Sequence, residues 1–136
     1  MRMRVMLPIA VSAWLAFGPR ADAVLRQCVM FEDTEELFRN NDVVFTGTAL
    51  SNTRVAGPVD GVQNIGLLRA EQFWKGMPQK EVRVGSDVPF LVGERYVVFA
   101  GGDPLSTTIE CEATQLLANA MKKRLWLSRR LSRKVG

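Results

Sequence analysis

The stretch DVVFTGTAL, residues 42–50, decides the fold, because it is a β-branched and aromatic run with one glycine inside it. Valine, threonine and phenylalanine favour β-strands. A glycine inside a strand often marks a bulge or a sharp bend. We therefore predict a strand that bends at Gly47, which is the means by which the sheets of small barrels curl.

Four more strands are predicted on the C-terminal side of this segment. A second long strand covers residues 63–74 and follows a loop over residues 51–62, which contains two glycine turns. Residues 81–84 alternate between polar and apolar, as does the segment from Ser106 to Cys111. Between them, residues 95–100 form a nearly continuous apolar run that is typical of a buried strand.

Two helices are predicted to flank these strands. Residues 32–41 carry acids and apolar residues at helical spacing, and residues 112–131 repeat apolar residues at intervals of three and four. Five short strands cannot cover both faces of an open sheet in so small a chain. The predicted fold is therefore all-β with flanking helices, a five-stranded OB-like barrel with a C-terminal α-helix.

The first 23 residues have the three parts of a secretory signal peptide. Arg2 and Arg4 make the start positive, residues 6–17 are apolar, and Ala21-Asp22-Ala23 supplies the small-residue cleavage pattern. We expect cleavage after Ala23 and a secreted or periplasmic protein. The apolar run is shorter than the roughly 20 residues of a membrane-spanning helix. An uncleaved membrane anchor is the alternative.

Charge is divided unevenly between a domain over residues 24–121 and a basic helical tail over residues 122–136. The chain has 18 basic and 14 acidic residues, a net charge of +4. The domain holds 8 basic and 13 acidic residues, a net charge of −5, whereas the tail carries +7. Nucleic acid is not expected as a partner, because a nucleic-acid-binding protein presents its cations on the folded surface. The tail leaves open a peripheral contact with an anionic membrane, or a helix end that merely frays.

Cys28 and Cys111 are the two cysteines of the chain. Export would place them in an oxidising compartment, where a disulfide between them is the default. Such a bridge would stabilise the fold by about 4 to 5 kcal/mol in the chain-entropy description of a long loop. Two unpaired buried thiols are the alternative.

The chain contains no histidine, so the usual general base and the commonest metal ligand are both missing. Two distant cysteines cannot build a tetrahedral zinc site. No glycine-rich phosphate loop is present, and acid pairs such as Asp33 with Glu36 read as a solvated helix face. We expect no enzyme activity, no cofactor and no metal.

The order of landmarks resembles the netrin-like domains of the tissue inhibitors of metalloproteinases and their bacterial relatives. The landmarks are Cys28, DVVFTG at 42–47, FWKG at 73–76, GERYVVFA at 93–100, then Thr108, Cys111 and a helix. Each motif is short, but their order spans nearly all of the mature chain. The resemblance implies an OB barrel with helices packed beside it.

The resemblance also implies a binding function, which this chain matches only in part. In the inhibitors an amino-terminal cysteine chelates the zinc of the target protease, and a second cysteine follows two residues later. Cys28 matches that second cysteine and Cys111 its partner, whereas Arg26 stands where the chelating cysteine would be. We therefore expect a non-catalytic binding module that is metalloproteinase-inhibitor-like but lacks the chelating group.

The candidate binding surface consists of Trp74, Lys75, Val88, Pro89 and Phe90. Loops on a rigid barrel are where binding residues concentrate, and residues 86–90 are expected to emerge beside residues 51–62. The expected partner is either a protein, for which a metalloprotease is one candidate, or a surface glycan. Trp74 and Lys75 have a second interpretation as the cap of the barrel. An alternative function is an envelope-associated structural protein that is held to its surface by the basic tail.

Overall fold

The computed structural model describes residues 33–56 and 62–135. The signal segment, Cys28 and the turns at Gly57-Pro58 and Asp60-Gly61 lie outside these residues. The described elements are α1 (Thr34–Asn40), β1 (Val43–Ala56), β2 (Val62–Lys75), β3 (Glu81–Ser86), β4 (Arg95–Ala100), β5 (Ser106–Thr107), β6 (Gln115–Leu116), a 3-10 helix (Leu117–Asn119), α2 (Met121–Leu127) and β7 (Arg133–Lys134). None of the described helices is long and apolar enough to cross a membrane.

Helix α1 begins at a capped residue and buries one side. The Asp33 carboxylate accepts a hydrogen bond from the Glu36 amide at 2.9 Å, which satisfies one amide of the first turn. Glu35 and Glu36 lie in that first turn, where negative charge is favoured by the helix dipole. Leu37 is buried against the sheet.

The described strands form one sheet that curls into a half-barrel. Its order is β5-β3-β2-β1-β4-β6, and β7 pairs with the end of β2 that β3 leaves free. The β3–β5 pair is parallel and the other pairs are antiparallel. A single bridge between Gly101 and Ser106 joins the end of β4 to the start of β5.

The strand register shows a bulge opposite Gly47, one of the two irregularities that a glycine inside a strand predicts. Thr46 pairs with Gln72, but Gly47 pairs with Ala70, so Glu71 is an extra residue on β2. A Cβ at Gly47 would lie 2.8 Å from the Arg69 carbonyl oxygen. The glycine therefore permits the close approach of two backbones at the bulge, and a bulge increases the local twist and bend of the sheet.

Alternating residues of the strands supply two hydrophobic cores. The sheet core contains Phe45, Leu68, Phe73, Tyr96 and Val98 with their buried neighbours. The helix-side core contains Leu37, Val44, Val97, Phe99, Ala120 and Leu127, and it lies where α1 and α2 cover the sheet. Each buried side chain of this size contributes about 1.5–3 kcal/mol by its removal from water.

The fold is mostly β with two short helices among the described residues, which confirms the predicted class. Four of the five predicted strands are present, the fifth is reduced to Ser106–Thr107, and β6 and β7 are additional. The predicted loop over residues 51–62 is wrong, because β1 continues to Ala56 and β2 begins at Val62. Residues 51–56 pair with residues 62–67 as a hairpin. The side chains of residues 51–54 are polar, which favoured a loop in the prediction. Strand pairing is made by backbone groups and does not require apolar side chains.

The predicted strand from Ser106 to Cys111 is also wrong, since β5 ends at Thr107. The chain then turns: the Thr114 amide donates to the Thr108 carbonyl oxygen at 2.9 Å, and the Glu112 amide to that of Ile109 at 3.1 Å. Glu112 has a φ of 65°, in the left-handed region, which a continuing strand does not use.

The single helix predicted over residues 112–131 is wrong as well. Residues 115–116 pair with the edge of β4 as strand β6, and α2 covers only Met121–Leu127. Beyond α2 the chain turns again and adds β7 to β2. Residues 115–116 take the free edge of β4, and their pairing gives hydrogen-bond partners to backbone groups of both strands. The division at residues 121 and 122 into domain and tail stays a prediction, and α2 crosses it.

Candidate functional site

The segment that connects β3 to β4 includes residues 87–92, which we name the Phe90 loop. The Phe90 backbone amide donates to Asn52 Oδ1 at 3.0 Å, and Asn52 Nδ2 donates to Asn64 Oδ1 at 3.1 Å. The Leu91 amide donates to the Tyr96 hydroxyl at 2.8 Å. Side chains from β1, β2 and β4 therefore hold the loop backbone in one conformation.

Phe90 anchors the loop in the sheet core. Its side chain is 2% exposed, and its ring meets the ring of Tyr96 edge to face with centroids 5.0 Å apart. Gly66 lies against the ring, because a Cβ there would be 2.3 Å from Phe90 Cδ2. Phe90 is thus a packing residue and not part of the surface that a partner would touch.

The tip of the Phe90 loop presents apolar side chains to solvent. Leu91 is 56% exposed and its neighbour Val92 is 64% exposed. Gly93 follows with a φ of 90°, which favours glycine and turns the chain back into β4. The Gly93 amide donates to the Ala49 carbonyl oxygen at 2.8 Å, so the base of the tip is fixed to β1.

Asp87 ties the Phe90 loop to the segment that precedes Cys111. Its Oδ1 accepts from the amides of Val88 at 3.0 Å and Ile109 at 2.8 Å, and its Oδ2 accepts from the Glu110 amide at 3.3 Å. Cys111 is half-buried. Its predicted partner Cys28 lies outside the described residues, so the disulfide stays a prediction.

Trp74 and Lys75 have structural contacts at the other end of β2. Trp74 Nε1 donates to the Leu127 carbonyl oxygen at 3.0 Å, which joins the sheet to α2. Lys75 Nζ donates to the carbonyl oxygens of Phe38 at 2.6 Å and Arg39 at 3.2 Å. Lys75 thereby satisfies carbonyl groups of the last turn of α1, as a cation at a helix C-terminus does.

The five residues of the candidate surface therefore fall in two places. Trp74 lies eight residues beyond Gly66 on β2, roughly 26 Å away along an extended strand. Of the two segments expected to lie side by side, the structure joins Asn52 to Phe90 by a hydrogen bond. That contact is made by a strand residue and not by a loop residue.

A groove of about 680 Å³ lies on the helix side of the sheet. Its floor is a row of three residues on adjacent strands, since Thr46 pairs with both Gln72 and Val97. Met121, Arg124 and Leu125 of α2 form a wall, and Arg95 and Trp74 also line the groove. We name this feature the α2 groove.

Lys123 is the buried cation of α2, with 6% of its surface exposed. It donates a hydrogen bond to Gln115 Oε1, and Gln115 in turn donates to Glu112 Oε2 at 2.7 Å. Burial lowers the pKa of Lys123, and the charge of Glu112 partly offsets this by raising it. Lys123 therefore holds β6 against α2 at an electrostatic cost.

Sequence reasoning missed Leu91, Val92 and the α2 groove. Leu91 and Val92 continue the apolar run of Val88 and Phe90, and nothing in that run separates exposed from buried positions. The one local signal is Gly93, a turn residue that places the two preceding side chains at a loop tip. The groove depends on where α2 packs against the sheet, and no local sequence pattern predicts that position.

Within residues 33–56 and 62–135, no cluster of three histidine, cysteine or acidic side chains is arranged to hold a metal ion. Comparisons with protein-family models, curated proteins and solved structures found no match to this chain.

Proposed function

We propose that the chain is an exported, non-catalytic binding module of the netrin-like type, which docks on a protein partner through the Phe90 loop. The observation that carries the proposal is the combination of a fixed loop backbone with two adjacent exposed apolar side chains, Leu91 and Val92. A loop that is already ordered loses little conformational entropy on binding. Exposed apolar groups on such a loop are typical of protein contacts.

The pairing of the strands supports an OB-type barrel as the scaffold. A cyclic path runs β1-β2-β3-β5-β4 and back to β1, in which the Gly101–Ser106 bridge supplies the contact between β4 and β5. This is a route by which five strands close a small barrel. Asp87 adds a connection across that closure, because it joins the end of β3 to the residues that follow β5.

A zinc metalloprotease is the partner class to test first, as the resemblance suggests. Arg26 occupies the position of the chelating cysteine, so docking would rely on the loop and not on a bond to zinc. The test is a titration of the oxidised protein against a panel of zinc metalloproteases, with both binding and inhibition measured. An Arg26→Cys variant shows how much a restored cysteine would add.

Matched variants separate a loop contact from a general effect. Leu91→Asp should weaken binding at least tenfold, whereas Met77→Asp should leave it unchanged, because Met77 is 80% exposed in the turn after β2, at the far end of that strand. Asn52→Ala should also weaken binding, since it releases the Phe90 amide. Equal binding by the Leu91 and Met77 variants, or no binding to any protease at micromolar concentration, would refute this proposal.

The alternative function, attachment to an anionic envelope by the basic tail, has weaker support. Lys123 and Leu127 are buried, and Arg133 and Lys134 pair with β2, so this segment is packed into the domain. Deletion of the tail would therefore damage the fold. Replacing exposed Lys122 and Arg129 by glutamine keeps the fold intact, and a loss of vesicle binding in that variant would favour this alternative.

A further inference from the structure

The α2 groove has an apolar wall that no described residue covers. Met121 is 69% exposed and Leu125 is 58% exposed, and the two are four residues apart on the same side of α2. The half-buried ring of Trp74 also lines the groove. The volume of about 680 Å³ falls in the range of about 300–1,000 Å³ that is usual for small-molecule sites.

Most polar groups along the groove already have hydrogen-bond partners. Trp74 Nε1 donates to the Leu127 carbonyl oxygen, so its ring offers only an apolar surface. The Gln72 side-chain amide donates to Ser132 Oγ, and Ser128 Oγ donates to the Leu125 carbonyl oxygen. Arg95 and Arg124 supply the charged donors of the groove, and Thr46 adds a hydroxyl.

The groove is positive because of its arginines, chiefly Arg124. Arg95 contacts Glu71 through Nε at 3.1 Å, which leaves the four N–H donors of its terminal nitrogens outside that contact. Glu71 offsets the charge of Arg95, so the net positive charge comes from Arg124. No acidic side chain is among the described residues that line the groove. The groove thus combines an apolar wall with guanidinium donors, which suits an anion that carries a hydrocarbon chain.

We infer that the α2 groove binds a single-chain fatty carboxylate. The chain lies against Met121, Leu125 and the Trp74 ring, and the carboxylate accepts hydrogen bonds from Arg124, with Arg95 as a second donor. The planar guanidinium group of arginine matches the geometry of a carboxylate and forms charge-assisted hydrogen bonds with it. This site lies far along β2 from the Phe90 loop and does not depend on the proposed docking function.

The test uses Trp74 as a contact probe. The chain contains Trp14, Trp74 and Trp126, and replacing Trp14 and Trp126 by phenylalanine leaves Trp74 as the only tryptophan. Titration with bromododecanoate below its micelle concentration should quench the Trp74 fluorescence saturably, because bromine quenches on contact. Unbrominated dodecanoate should compete with it, and dodecyltrimethylammonium, which carries the opposite charge, should not.

Two pairs of variants locate the ligand. Arg124→Gln should weaken binding about tenfold, equal to about 1.4 kcal/mol, whereas Arg129→Gln should not, since Arg129 is exposed but does not line the groove. Leu125→Ser should weaken binding similarly, and Leu131→Ser should leave it unchanged, because Leu131 is 96% exposed and also lies outside the lining.

The inference is overturned by an absence of saturable quenching, or by equal affinity for dodecanoate and dodecyltrimethylammonium. It is also overturned if the Arg124 and Leu125 variants bind as tightly as their controls. A protein that copurifies with the unaltered chain and is lost in Leu125→Ser, without any quenching by bromododecanoate, would assign the groove to a protein partner instead.

Discussion

Gly66 illustrates how a single residue limits the packing of the candidate site. The space where its side chain would be is filled by the ring of Phe90, which approaches within 2.3 Å of an ideal Cβ position. The ring cannot withdraw easily, because it is buried and packed against Tyr96. Glycine is needed here for close approach and not for an unusual backbone angle.

Gly66→Ala should therefore lower the free energy of unfolding by about 1–3 kcal/mol, as overpacking of a core does. Urea unfolding measures the change. Phe90→Leu in the same chain should recover part of the loss, because a smaller side chain leaves room for the new methyl group. Strictly additive effects of the two substitutions would show that the ring is not the obstacle.

Lys123 should make stability depend on pH in a defined direction. Because its folded pKa is lowered, the unfolded chain binds more protons between the folded pKa and the ordinary value of 10.5, and stability rises with pH through that window. Relative to Lys123→Met, the unaltered protein should gain stability as the pH rises toward 10.5. Lys122→Met is the control at an exposed neighbour, and a parallel pH profile for Lys123→Met would contradict the expectation.

At the scale of elements, the segment between β5 and α2 depends on Thr114. Its side chain is fully buried, and Thr114 Oγ1 accepts from the Phe99 amide at 3.1 Å and bonds to Thr107 Oγ1 at 2.7 Å. The Phe99 amide, on β4, would otherwise be buried without this partner. Thr114 thus holds the segment against β4, directly before the residues that form β6.

Thr114→Val keeps the size of the side chain and removes this acceptor. We expect a loss of about 1–3 kcal/mol in the free energy of unfolding, the cost of leaving a buried donor unsatisfied. Thr108→Val is a matched control, because Thr108 is exposed and contributes its backbone carbonyl. If both variants unfold at the same urea concentration as the unaltered protein, the buried bond does not stabilise the fold.

The elements also show where prediction from sequence succeeds. Residues 95–100 form a strand with the predicted bounds, because a continuous β-branched and aromatic run that is buried on both faces has few alternatives. Residues 112–131 have helical spacing, yet they pair at a strand edge and then form a 3-10 turn and one short α-helix. Their spacing is compatible with either outcome, and the unpaired edge of β4 decides between them.

At the scale of the whole molecule, the predicted bridge between Cys28 and Cys111 would close most of the mature chain into one loop. Intact mass should correspond to a start at Val24 and rise by about two daltons on reduction, as expected for a single disulfide. Replacing Cys111 by serine should lower the free energy of unfolding by about 4 to 5 kcal/mol in the chain-entropy description. An unchanged mass on reduction, or a neutral substitution, would argue against the bridge.

The sequence by itself determined the β class, the central strands and the irregular pairing at Gly47, because side-chain shape and alternation act locally along the chain. The tertiary structure alone decided that Phe90 is buried while Leu91 and Val92 are exposed. It also decided that Trp74 and Lys75 donate hydrogen bonds to backbone carbonyl groups of the helices. It also decided that residues 112–131 divide among a strand, a turn and α2, which creates the groove. These outcomes depend on which edges and faces remain unpaired once the long strands have met, and contacts between distant residues settle that.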